Sequence, residues 1–315
     1  MLKIGCVTID TSHPRGMAKK FEAECMDMRY EYLWDKCFRL PEEREWFVKK
    51  FGLKGEVDEI KDMVDKVDVG FIHSCNWQEH LEHAMPFIEA GKPVFIDKPI
   101  VGTVKDIAKV RELVANGAKI VGASSVRYCE EIQKFLAEPV EKRGEVLSVF
   151  CTCGSNEFDY AIHAVEAMSE IAGAKAKSGK FVGTTKNVEG MECDMFSIEY
   201  ENGVRGVYYN IKGRHSPFYI TIMTTKETRN FWVDNSKIIL VLLKEIYHEL
   251  VQGKSIITDV ETLLNCSEIM LCCKKSRDEL NGADVTIDML GEDDKFDGYA
   301  FKENYGKNAV GSYKG

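Results

Sequence analysis

The stretch GKPVFIDKPI, Gly91 to Ile100, is the one from which the rest of the chain can be read. A glycine turn and Lys92-Pro93 lead into Val94, Phe95 and Ile96, an apolar run between turn residues, which is the pattern of a buried strand. The strand ends in Asp97-Lys98-Pro99. Proline cannot donate to a sheet ladder and biases the residue before it toward extended geometry, so Lys98 stands at the strand's carboxyl end with its direction fixed. Ligands of open α/β sheets bind at that edge. The side-chain period of two sends Asp97 and Lys98 to opposite faces, so one can meet a ligand while the other braces the loop.

On the amino-terminal side the same rhythm repeats. Leu2 to Ile9 (LKIGCVTI) reads as a strand, followed by a polar turn Asp10-Thr11-Ser12-His13-Pro14 and a helix from about Pro14 into Cys25. Tyr30 to Trp34 reads as a second strand ending in Asp35, and Pro41 to Phe51 has helical spacing with Glu early and Lys late, as the helix dipole favours. A brief strand at Val57, a helix over Asp58 to Lys66, a strand over Asp68 to Ser74 and a helix over Glu79 to Ala90 lead to the opening stretch. Val104 to Asn116 is again helical and Lys119 to Gly122 again a strand. Strands alternating with helices over residues 1–125 predict a Rossmann-type parallel sheet covered on both faces.

Beyond Arg127 the rhythm changes. A helix is expected over Glu130 to Lys142, a strand over Glu145 to Cys153 and a helix over Asp159 to Ile171. Five β-leaning segments follow from Gly179 to Trp232, with Asn202-Gly203 as a hairpin signal, and then helices over Lys237 to Leu250 and Thr258 to Glu279. The tail from Tyr299 to Gly315 is expected to fray at its end. Strands in series without helices between them mean an antiparallel sheet, so residues 126–315 are expected to form a second, α+β domain around a large, mainly antiparallel open sheet.

Composition narrows the function. With 42 basic against 51 acidic residues the net charge is −9, which disfavours nucleic acid or an anionic membrane as the main partner and leaves small molecules. No charged leader precedes an apolar stretch at the start, and no apolar run approaches the roughly 20 residues that span a bilayer. Eleven scattered cysteines, an odd number with Cys272 and Cys273 adjacent, fit a reducing compartment, so a cytoplasmic protein is expected. No metal site is expected. Cys151 and Cys153 lack the spacing of a zinc ribbon, and His80 with His83 lack a third ligand.

Two constellations carry chemistry. The first turn would be a dinucleotide fingerprint if Thr8, Asp10 and His13 were glycines, and taken alone it does not call for a nucleotide. A helix start near Thr11 and Ser12 still offers free amides and a favourable dipole. Asp35 ends the second strand where an acid would hold an adenosine ribose hydroxyl, and Lys36 and Arg39 beside it could accept a 2′-phosphate, which keeps NADP open beside NAD. In FDYAIHAVEAM, Asp159, His163 and Glu166 stand at offsets of four and three on one helical face. A carboxylate on either side to orient the ring is the arrangement of a general base. His73 and His248 read as ordinary satisfied histidines, and His215 as a loop residue.

The order of a strand, GKPVFIDKP, about sixty residues and then DxxxHxxE at a helix start resembles the Gfo/Idh/MocA family of NAD(P)-dependent sugar and cyclitol oxidoreductases. The resemblance extends over most of the chain. It implies that Lys98, in Asp97-Lys98-Pro99, is that family's EKP lysine, with Asp for Glu. Asp159 and His163 then fill its DxGxHxxD motif, with Ala161 and Glu166 departing from it. The segment SCNWQEH resembles the TPNxxH loop, placing Ser74, Asn76 and His80 near a cofactor. It further implies that NAD, or NADP, is bound by Thr8, Asp10, Thr11, Ser12, His13, Asp35, Ser74, Asn76, His80, Asp97, Lys98 and Arg127. Lys98, Arg127, Asp159, Tyr160 and His163 would then meet a carbohydrate or polyol, and the open sheet would form a homodimer or homotetramer. Two alternatives remain open: a redox-neutral, NAD-assisted sugar conversion such as elimination, epimerisation or glycoside cleavage, and a non-catalytic binder of nucleotide or sugar.

Overall fold

The apolar runs that end in turn residues become the strands of a parallel sheet. The computed structural model describes residues 1–313. Its first part runs β1 (Leu2–Val7), α1 (His13–Ala23), β2 (Met28–Trp34), α2 (Pro41–Lys50), β3 (Gly55–Glu56), α3 (Lys61–Val64), β4 (Val69–Ile72), α4 (His80–Glu89), β5 (Val94–Ile96), α5 (Val104–Ala115) and β6 (Ile120–Gly122). The strand order β3-β2-β1-β4-β5-β6, all parallel, reverses direction between β1 and β4. That reversal opens a crevice at the carboxyl ends of the strands.

The second part runs α6 (Glu130–Ala137), α7 (Val140–Arg143), β7 (Val146–Ser155), α8 (Glu157–Ala172), β8 (Ala176–Lys186), β9 (Glu192–Tyr200), β10 (Arg205–Lys212), β11 (Ser216–Thr224) and β12 (Thr228–Trp232). It closes with α9 (Ile238–Tyr247), α10 (Val260–Asp278), β13 (Val285–Thr286) and α11 (Gly298–Ala309). Its sheet has the order β12-β11-β7-β10-β9-β8-β13, antiparallel throughout except for the pair β7 and β10. One face packs on α8 and α10. The fold class expected from the strand and helix rhythm is the one observed.

Two local expectations are corrected. The helix foreseen over Glu130 to Lys142 is two, because Pro139 forces Glu138 into extended geometry (ψ 135°) and restarts the helix as α7. The helix foreseen over Asp58 to Lys66 shrinks to the single turn of α3. The fraying expected at the chain's end falls on Lys314 and Gly315, outside the described residues; the tail up to them is ordered as α11, capped by Asp297 Oδ1 on the Ala300 amide at 2.9 Å, and reaches a buried Tyr313. The reason is long-range. Trp77 Nε1 donates to Phe296 O at 2.9 Å, and Arg39 reaches Ala309 O, so the last turns are held by residues more than 200 positions away.

Glycines in the central strands let the helical layer come close. Gly5 and Gly70 are neighbours across β1 and β4, and the ring of Phe87 from α4 lies over both. A Cβ at Gly70 would stand 2.6 Å from that ring. Gly70→Ala is therefore expected to lower stability by about 1–3 kcal/mol through overpacking. Adding Phe87→Leu should return part of the loss, as read from urea midpoints; a Gly70→Ala protein as stable as the parent would show that α4 is not seated there.

Candidate active site

Strand ends supply one wall of the site and the start of α8 the other. Lys98, two residues past the end of β5, reaches across to α8. Its Nζ donates to Asp159 Oδ1 at 2.7 Å and to the Asp159 carbonyl at 2.8 Å. Both side chains are largely sheltered. An ammonium has three donors, so one remains for a substrate oxygen. The ring of Tyr160 lies 5.9 Å from the same nitrogen and stacks on Phe218. These groups line a cavity of ≈ 310 Å³ with Thr11, Ser12, His13, Ser74 and His163.

His163 is held from behind. Its Nδ1 lies 2.6 Å from Ser124 Oγ, at the end of β6, and Nε2 has no partner among the described residues. Ser124 is fixed in turn, because its amide donates to Glu166 Oε2 at 2.8 Å. The carboxylate three residues along the helix thus steadies the imidazole through a serine. Asp159, foreseen as the other orienting acid, pairs with Lys98 instead. Burial, then the positive charges of Lys98 and His13, hold His163 well below its ordinary value, so its ring is neutral at pH 7. Burial pushes Glu166 up to about 7, against the pull of Arg127.

A second set of side chains lies under the same cavity. Asp97, turned away from Lys98 as the strand period requires, accepts from His13 Nδ1 at 2.9 Å and His73 Nδ1 at 2.9 Å. His73 Nε2 continues to the Tyr30 hydroxyl at 2.9 Å. Burial alone would raise Asp97, but His13 and His73 outweigh it and hold the carboxyl well below the usual range. His13, part-exposed, presents the outer end of this chain to the cavity.

The first turn keeps a glycine-like backbone without glycine. Thr8 has φ +62° and is buried, a left-handed conformation that threonine rarely adopts. Asp10 is buried and accepts from the Cys75 amide at 3.0 Å. Asp35 accepts from Ile9 N at 2.9 Å and Cys37 N at 2.8 Å. Burial, then the neighbouring Asp10, pushes Asp35 up to about 7.

Among the other residues named from sequence, Thr11, Ser12, His13, Ser74, Asp97, Lys98, Asp159, Tyr160 and His163 converge on the one cavity. Asn76 and His80 stand just behind it: Asn76 Oδ1 accepts from Gln78 N at 3.1 Å, and His80 bridges the carbonyls of Ser74 and Ile100. Arg127 does not join them. It turns beneath α8, donating to Glu166 O at 3.0 Å and pairing with Glu170 at 2.7 Å, beside a separate hollow. Sequence reading missed Ser124, Cys75, Phe218 and Tyr305; His73, expected to be satisfied, has both ring nitrogens bonded and in addition lines the cavity. The signal for Ser124 and His73 was available, since each closes a strand of the parallel sheet at its carboxyl end.

Residues 37–125 match the model of an oxidoreductase family, GFO_IDH_MocA, described as having an NAD-binding Rossmann fold. The resemblance drawn from the motifs is thereby borne out, and NAD is the cofactor that family's description names. Among solved structures, scyllo-inositol dehydrogenase from Lactobacillus casei with bound NAD(H) and scyllo-inositol superimposes with a TM-score of 0.77, at 15% identity, over 91% of this chain and 99% of that one. Myo-inositol dehydrogenase from Lactobacillus casei in complex with NAD(H) and myo-inositol gives 0.75 at 12% identity, over 92% and 98%. At such identities the likeness is one of fold. No curated protein matches in sequence.

The pH behaviour of His163 tests this geometry. Its folded-state pKa is depressed, so from about 6.5 downward the unfolded chain takes up a proton that the folded chain refuses, and this group's contribution to stability falls as pH drops. Side-chain NMR should find a neutral ring from pH 8 to pH 6.5, and Lys98→Met should move the midpoint upward. A midpoint at or above 6.5 in the parent would contradict the placement.

Proposed function

We propose that this protein transfers a hydride between NAD and a hydroxyl or keto carbon of a sugar, sugar derivative or cyclitol. The observation that carries the reading is the meeting of Lys98, from the end of β5, with the helix that bears His163, over one cavity at the switch point of a parallel sheet. NAD supplies the hydride acceptor when bound. His163, neutral and with Nε2 unpartnered, takes the hydroxyl proton; in the tautomer that suits a base, Nδ1–H donates to Ser124 Oγ. The free donor of Lys98 holds the same oxygen as its charge develops, and Asp159 keeps the ammonium in place. Ser74, His13 and Asp97 line the same cavity and would hold the nicotinamide ribosyl half of the cofactor, which the polar residues present fit.

NAD is favoured over NADP. Lys36 pairs with Glu59 at the surface, and Arg39 is turned inward onto main-chain carbonyls and Glu43, so in this arrangement neither is presented to a 2′-phosphate beside Asp35. Arg127 supports the underside of α8 in this reading and does not meet substrate. We further propose a cytoplasmic homo-oligomer: the eleven cysteines are all free, and the outward face of the second sheet carries Phe150, Tyr209, Tyr219, Met223 and Trp232, the last 62% exposed. No helix of the described residues is long and apolar enough to cross a membrane.

The redox-neutral alternative draws on one observation, the His13–Asp97 pair in the same cavity, which would give a transient ketone a second acid–base group beside its α-carbon. Solvent deuterium would then enter recovered substrate in the parent and not in His13→Gln.

The test of the main reading is a panel of polyols and cyclitols with NAD, followed at the NADH absorbance band. At least one should be turned over, and Lys98→Met and His163→Ala should each lower kcat by about 10²–10⁴-fold. A panel without turnover, or turnover indifferent to Lys98→Met, would overturn it.

A further inference from the structure

In a sheet of this order the adenosine half of a dinucleotide lies over the ends of β1 and β2, with its ribose on the acid that closes β2 and its pyrophosphate on the first turn. In this chain that ground is held by the chain itself. Both Asp35 carboxylate oxygens take backbone donors, from Ile9 and Cys37. Arg39, 3% exposed, lays its guanidinium on the carbonyls of Ile9 (3.0 Å), Asp10 and Ala309 (2.5 Å), and on Ser312 Oγ (3.1 Å). Tyr313, 1% exposed, places its ring 4.4 Å from that guanidinium. Its hydroxyl donates to Thr11 O at 2.6 Å, and its amide to Glu43 Oε1 at 3.0 Å.

The helix leading to these contacts lies in the same groove. Phe301 meets Trp77 at 5.2 Å between ring centres, and the backbone of Gly306 is so close to Phe38 that a Cβ there would stand 3.2 Å from the ring. Tyr305 belongs both to the cavity that holds Lys98 and to a second hollow of ≈ 460 Å³ on its other side, lined by Asn156, Asn304, Asn308 and Ser312. What stays open beside Lys98 is ≈ 310 Å³, the low end of the roughly 300–1,000 Å³ that hold one drug-sized ligand, whereas NAD is two nucleotides.

We propose that Gly298 to Tyr313 and the ADP-ribosyl half of NAD compete for one place, with the stack of Tyr313 on Arg39 as the latch. The nicotinamide ribosyl half enters the open cavity without moving this segment. The whole dinucleotide seats when Tyr313 leaves Thr11 and Arg39. The exchange is chemically matched: a guanidinium that gives up Ala309 O and Ser312 Oγ keeps its ion pair with Glu43 (3.2 Å) and frees N–H donors beside the first turn, and phosphate oxygens are stronger acceptors for those donors than a carbonyl and a hydroxyl. The segment then acts as a built-in competitor that sets cofactor affinity. This inference rests on the dinucleotide reading above.

The experiment is calorimetric titration of the parent, Tyr313→Phe and Tyr313→Ala with ADP-ribose and with nicotinamide mononucleotide, each protein first shown by urea transition to be folded. ADP-ribose should bind about threefold more tightly to Tyr313→Phe and at least tenfold more tightly to Tyr313→Ala, while the mononucleotide stays within twofold in all three. In the parent, needing no substitution, saturating ADP-ribose should speed amide hydrogen exchange across residues 299–313. Equal ADP-ribose affinity in all three proteins, or slower exchange across the segment on binding, overturns the competition and leaves the oxidoreductase reading standing. If neither ligand binds any of the proteins, the dinucleotide reading falls and this inference with it.

Discussion

Lys98 and Asp159 lie 61 positions apart in sequence and 2.7 Å apart in space, and the site depends on that contact. It joins the carboxyl end of β5 to the first turn of α8, and so brings an ammonium of the first sheet beside an imidazole of the second part. A largely buried ion pair of this kind adds little net stability, because desolvating the two charges offsets most of their attraction. Its consequence is positional. The second contact, to the Asp159 carbonyl, fixes where on the helix the lysine lands and leaves one N–H to spare.

The same charge shapes its neighbour. An imidazole buried beside a cation loses its proton readily, and the Ser124 hydroxyl, set by Glu166, decides how that ring is turned. Below the cavity the opposite logic holds: Asp97 is buried but flanked by two imidazoles, and stays ionised. One residue of a two-residue sequence thus serves the site while the other ties three segments of the first sheet together. The first turn, with aspartate and threonine where glycine is usual, is tolerated because Thr8 keeps a left-handed backbone and Asp10 turns inward onto the Cys75 amide.

Local pattern reached a good part of this. A proline after a short apolar run gave Lys98 its direction, alternation separated it from Asp97, and offsets of four and three placed Asp159, His163 and Glu166 on one face of a helix. Partner choice was not legible. Spacing offered Asp159 to His163, its helical neighbour, and the fold gave it to Lys98. Ser124 is 39 positions from His163, and nothing in either stretch names the other. Arg127 looked well placed past the joint, yet the 3₁₀ turn Ser125–Tyr128 sends it under α8. The order of the tail up to Tyr313 was not legible either. That order comes from Arg39 and Trp77, and contacts of that sequence separation leave no periodic trace.

The central claim is that one substrate oxygen is held by both sides of the cleft. A crystal structure of the ternary complex with NADH and a bound polyol tests it most directly. The account predicts a single hydroxyl oxygen within hydrogen-bond distance, about 2.6–3.2 Å, of both Lys98 Nζ and His163 Nε2. A polyol seated with no oxygen shared by those two nitrogens would contradict it.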